Sequence, residues 1–171
     1  DNQLRNYWTS SGTYDSIFGY IKDNIEDVQD DLALMFAGEA VSADVMEYAA
    51  SNMQLTTKDE IYSAMVVYGL LTYHDGCVLI PNKELMKSYA AMMKKEISLG
   101  YIYQLANASN QMLKATLTGD TSKMIEILEY AHNTESPILS YNSEIELAAV
   151  VNLVYLSARD HYHMEREDKA G

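Results

Sequence analysis

Leu70-Leu71-Thr72-Tyr73-His74-Asp75-Gly76-Cys77-Val78-Leu79-Ile80 is the stretch whose reading decides the fold. Asp75-Gly76 between two apolar runs is a strong hairpin signal, because the tightest hairpin turn needs positive φ at both central residues. Just upstream, Thr57 and Glu60 have capping-box spacing, and Ile61, Ala64, Met65, Tyr68 and Leu71 recur at helical spacing behind them. Downstream, Pro81 ends the second strand, Asn82 caps, and the spacing predicts a helix from Lys83 to Leu99. Further upstream, Val41, Ala43 and Val45 alternate with Ser42, Asp44 and Met46, which reads as a short strand within Ala40 to Tyr48; Met46 to Ala50 also fits a helix. A strand, a helix and a tight hairpin together predict a winged-helix-like unit. Such units often read DNA, but the helix before this hairpin carries Tyr62, Ser63 and Met65 rather than Arg or Lys. A packing module is favoured over a DNA reader.

Thr13 can cap a helix from Tyr14, with Ile17, Phe18, Tyr20 and Ile21 on its buried side. Asp23 or Asn24 restarts it, Ile25, Val28, Leu32 and Met35 keep the spacing, and Gly38 stops it. Glu26, Asp27, Asp30 and Asp31 read as its solvated face, since nothing in the sequence converges on them as metal ligands. Gly100 marks a boundary between two lobes, 1–98 and 99–171. Ile97, Tyr101, Leu105, Ala108, Met112, Ala115 and Leu117 nonetheless keep helical spacing across it, which also suits a helix running through. Gly119-Asp120-Thr121 is a turn and cap before Met124, Ile127, Leu128 and Ala131. Asn133 to Ser140 is a loop. Asn142 or Ser143 caps a last helix with Leu147, Val150, Val151, Val154 and Tyr155, which runs on through Asp160. The expected class is mainly α, an α+β chain with a small hairpin or three-stranded element: a winged-helix-like unit followed by a helical bundle.

With 171 residues, 48% of them apolar, the chain can bury a real core. No apolar stretch reaches the ~18 residues that span a bilayer, so no membrane partner is expected. A single cysteine, Cys77, excludes an internal disulfide and suits a reducing cytoplasm; beside an apolar run it reads as a buried thiol. The 14 tyrosines and 10 methionines suggest a core of large, adaptable side chains, with an interface as the alternative. The net charge of −13, from 25 acidic and 12 basic residues, should repel nucleic acid, so no direct binding of it is expected.

No phosphate-cradling Gly-rich loop, nucleophile elbow or Cys-x-x-Cys pair occurs. His161, His163 and Glu165 are the one local set with ligand chemistry. On a strand they would share a face and suit zinc, although three ligands on one strand are too collinear for a tetrahedral site, and plain polar alternation is the blander reading. His161 to Glu167 reads as the start of a strand whose partner does not follow, which suggests a piece of a larger protein. Glu144 and Glu146 begin the last helix. First-turn carboxylates are favoured there by the helix dipole, and Glu146 stands at the capping-box position to Ser143. A catalytic role would need further carboxylates brought near to hold Mg²⁺.

Several blocks carry a resemblance: Tyr7-Trp8-Thr9-Ser10-Ser11-Gly12-Thr13, Lys58 to Tyr73, Ile80 to Leu85, Val151 to Asp160, and Glu165 to Gly171. Together they resemble, essentially end to end, bacterial AAA-ATPase-like proteins that carry a C-terminal PD-(D/E)XK nuclease domain. The resemblance implies an ATPase core with its phosphate loop upstream, and a nuclease sheet mostly downstream, with its Asp strand and Glu-x-Lys strand. ATP and Mg²⁺ would then serve the parent protein, with no cofactor in this chain. The family's helical acid maps onto Glu144, with Glu146 as the alternative. This chain would be a non-catalytic connecting segment whose partners are the ATPase and nuclease parts. Alternatives are a protein-binding module and a nuclease half-site completed by a homo-oligomer.

Overall fold

The computed structural model describes residues 19, 21–45, 55–133 and 143–162. It is mostly helical. Helix α1 spans Ile25–Phe36, strand β1 Val41–Ser42, helix α2 Lys58–Val67, strand β2 Thr72–His74, strand β3 Cys77–Leu79 and helix α3 Lys83–Lys95. A 3₁₀ turn at Ile97–Leu99 leads to α4 (Tyr101–Thr118), α5 (Thr121–His132), α6 (Glu144–Val154) and a 3₁₀ segment at Leu156–Asp160. Among the described residues, no helix is long and apolar enough to cross a membrane.

The three strands form one antiparallel sheet in the order β1-β3-β2, so the hairpin lays its second strand beside β1. Asp75 (φ 49°) and Gly76 (φ 80°) make the expected mirror-image turn, and Tyr73 opposes Val78 on β3, which opposes Val41 on β1. Val78 is the buried residue of β3, whereas Cys77 beside it is only half-buried and free. The buried-thiol expectation is corrected by strand alternation: two neighbours on a strand cannot both face the core.

Four expected caps form, at Thr57, Asn82, Asp120 and Ser143, whereas Asn24 before α1 makes no side-chain cap hydrogen bond and Thr13 lies outside the described residues. Thr57 Oγ1 accepts from the Glu60 amide, and Glu60 accepts in return from the Thr57 amide at 2.9 Å. Those backbone donors at Thr56 and Thr57 hold the Glu60 carboxyl below its ordinary value. The side chains of Asn82, Asp120 and Ser143 cap α3, α5 and α6 by accepting from the amides of Leu85, Lys123 and Glu146. Gly119 closes α4 in the left-handed conformation, φ 72°, which turns the chain back into α5.

Three helix ends differ from expectation. Helix α2, predicted to carry Tyr68 and Leu71, ends at Val67. The helix predicted to reach Leu99 stops at Lys95, where Glu96 turns extended and Gly100 takes φ 55°, so no helix runs through Gly100. The break rotates the chain so that Leu99 and Tyr101 enter the core while Ile97 is left in solvent. The last helix ends at Val154 rather than running to Asp160, and tightens into a 3₁₀ segment that buries Leu156, Ser157 and Ala158. The amides of His161 and Tyr162 both donate to the Ala158 carbonyl, at 3.0 and 2.7 Å. These two residues form a turn, not the start of a strand; residues 163–167 lie outside the described residues, as do most of the loop expected at 133–140 and the segment before Gly19.

Helix α4 is the centre of the bundle and packs against α3, α5, α6 and the C-terminal 3₁₀ segment, while α1 packs against α6. The buried apolar side chains form one cluster that includes Phe36, Tyr62 and Met65 from the first half and Leu105, Met112 and Leu153 from the second. Met35, Met65, Met92, Met93 and Met112 are buried, as are Tyr62, Tyr89 and Tyr101, so these large side chains serve the core.

Candidate functional site

Among the described residues, those singled out in the sequence do not converge. Glu144 is exposed in the first turn of α6, and Glu146 gives its amide to Ser143 Oγ at 3.2 Å. His161 is exposed on the closing turn, while His163 and Glu165 lie outside the described residues. Among the described residues, no three His, Cys, Asp or Glu side chains are grouped to hold a metal ion. Helix α2, the helix before the hairpin, buries Ile61, Tyr62, Ser63, Ala64 and Met65 in succession, and its one basic residue, Lys58, is paired with Asp31, so it carries no row of cations for a phosphate backbone.

Two of the acidic residues expected on a solvated face are instead structural. Glu26 and Asp27 are exposed, but Asp30 accepts from Tyr101 Oη at 2.5 Å and Asp31 from Tyr62 Oη at 2.7 Å. Lys58 Nζ lies 2.8 Å from the same Asp31 oxygen. Burial first, and the Asp31 charge second, push the Tyr62 phenol well above its ordinary value, so it remains a donor. Sequence reasoning missed this because the partners are 31 and 71 residues away.

A second feature was also missed: a groove of about 470 Å³ between α3 and the C-terminal 3₁₀ segment. Lys83, Lys87 and Lys94 line it from α3 and Arg159 from the other wall, over a floor that includes Phe36, Met86, Ala90 and Leu156. Among the described residues, none of those lining it is acidic. The lysines recur at i, i+4 and i+11, so one helix face carries all three. That periodicity was available in the sequence; what it faces was not.

Arg159 is fixed at the wall. One Nη donates to the Phe36 carbonyl at 3.2 Å and to Asn152 Oδ1, and the guanidinium stands 4.6 Å from the centre of the Phe36 ring. Its Nε is buried without an acceptor among the described residues. Burial lowers its pKa from the ordinary arginine value. At the far end, Lys94 Nζ meets Ser157 Oγ at 3.0 Å, and Ser157 meets Ser109 Oγ at 2.6 Å. The Lys–Ser pair has the distances of an activated nucleophile, but Ser157 and Ser109 are both buried and Ser109 donates onward to the Ala106 carbonyl or to Ser157. No substrate can reach that oxygen, so the serines anchor Lys94.

Helices α5 and α6 leave a second, apolar groove of about 370 Å³ lined by Ile125, Leu128, Leu147, Val150 and Val151 together with Glu129 and His132. Comparison with family models, with curated proteins and with solved structures finds no match to this chain.

Proposed function

We propose that this chain is a non-catalytic connecting and scaffolding module, of the kind expected between the ATPase and nuclease parts of an AAA-ATPase-like PD-(D/E)XK nuclease protein. The observation that carries the reading is the double clamp on α1. Adjacent residues Asp30 and Asp31 hold Tyr101 of α4 and Tyr62 of α2, so one helix ties the winged-helix-like unit to the bundle. Arg159 adds a third tie, from the C-terminal segment to the last turn of α1. A module built this way transmits force or orientation between its ends, because its parts move as one body. Helix α2, enclosed by its neighbours, supports packing over nucleic-acid reading, and so does the charge of −13.

Two measurements test this. The purified chain should hydrolyse no ATP and cleave no DNA with Mg²⁺; cleavage that disappears in Glu144→Ala overturns the proposal. In native-state hydrogen exchange, the central amides of α1, α2 and α4 should open together as one cooperative unit. Separate opening of α2 and α4 would refute the connecting role. A protein-binding module is the second reading, favoured by the apolar groove of α5 and α6.

A further inference from the structure

Of the groove's four cations the connecting role uses only Arg159, and the three lysines point to a further chemistry. We propose that the groove between α3 and the C-terminal 3₁₀ segment docks an acidic amphipathic peptide segment of a partner protein. Four of the chain's 12 basic residues line this one groove, and among the described residues no carboxylate lines it with them, on a chain that carries 25 acidic residues. On an α-helix, a stripe at i, i+4, i+7 and i+11 is ordinarily the apolar one that meets the core. Here it reads Lys83, Lys87, Ala90, Lys94 and faces a groove. The small Ala90 and Ala91 leave the space that the lysines flank.

The length of the row selects the class of ligand. Lys83 and Lys94 are eleven residues apart, or about 16 Å along the helix axis at ~1.5 Å per residue. No single phosphate or carboxylate can meet cations that far apart, whereas acidic side chains one and two helical turns apart on a peptide can. The floor of Phe36, Met86, Ala90 and Leu156 asks for apolar side chains between those acids, as in helix-in-groove recognition. A nucleic-acid strand supplies the charge without the apolar side chains and meets the repulsion of the whole chain. Arg159 and Lys94 are held in place by Phe36, Asn152 and Ser157, so less order is lost on binding than for free side chains.

The probe is a labelled synthetic peptide of about 15 residues, long enough for the ~16 Å row, with Glu at the lysine spacing and Leu between. Fluorescence anisotropy should show binding that weakens as salt rises, and no comparable binding of a scrambled peptide of the same composition. Lys83 and Lys87 are exposed, so Lys83→Glu with Lys87→Glu should fold normally by circular dichroism and bind about tenfold more weakly or worse, a 1.4 kcal/mol change. Ala91→Trp keeps every charge and fills the groove; it should weaken binding as much. The proposal is overturned if the peptide fails to bind, if the scrambled peptide binds equally, or if either variant keeps full affinity. It is equally overturned if a single-stranded DNA of about a dozen nucleotides binds more tightly through the same lysines.

Discussion

Helices α2 and α6 are alike in sequence and opposite in circumstance. Both carry small and apolar residues around most of the cylinder instead of on one stripe: Ile61, Ala64, Met65 and Val66 on the first, Leu147, Ala149, Val150 and Val151 on the second. Such a helix is stable only if it is surrounded. Helix α2 is so along its middle, where five successive residues are buried, and only Val67 in its last turn is left an exposed apolar residue. Helix α6 packs on α1 and α4 with Ala149, Val150, Leu153 and Val154, yet Ile145, Leu147 and Val151 remain exposed on its other side. The difference teaches that all-round hydrophobicity fixes how much surface a helix must hide, not where its neighbours will stand.

Substitutions in the two helices should separate these circumstances. Met65→Ala, in the enclosed helix, should cost roughly 2–5 kcal/mol in urea unfolding, the range for a large buried side chain. A cost near zero would break the contrast by showing that α2 is loosely packed. Tyr62→Phe should cost about 1.5 kcal/mol, the loss of a hydrogen bond to a charged group. Its pH dependence sharpens the point. Because the folded-state value of the Tyr62 phenol is raised, its contribution is fully present below the unfolded value of 10.0 and is lost as the pH rises above it. The unsubstituted chain should therefore lose stability above pH 10 faster than the Phe variant. Leu147→Gln, 49% exposed on α6, should change stability by no more than about 0.5 kcal/mol while lowering the fluorescence of a bound hydrophobic dye. Unchanged dye binding would show that the α5–α6 groove is not an open apolar surface.

Much of the fold was legible locally. Thr57 with Glu60, Asp75-Gly76, Asn82, and Gly119-Asp120 are signals whose physics is complete within four residues, and each forms the predicted cap or turn. The spacing across Gly100 misled, because Ile97 and Tyr101 fit one helical stripe while the backbone at Gly100 breaks the helix between them. Leu117, counted on the buried stripe of α4, is exposed because it stands about 200° around the helix from buried Ala115, off the face that carries Leu105 and Met112. The sites were less legible still. Asp30 and Asp31 looked like solvated acids, and only the approach of Tyr101 and Tyr62 makes them clamps.

The sequence by itself determined the helix caps, the hairpin and its turn, the mainly helical class, and the excess of negative charge, since each depends on neighbouring residues or on a sum. The tertiary structure alone decided that α2 is enclosed, that two aspartates hold two tyrosines, and that three lysines in a row look across a groove at Arg159. Those facts are meetings between side chains far apart in the chain, and no local preference records which distant partner a side chain will meet.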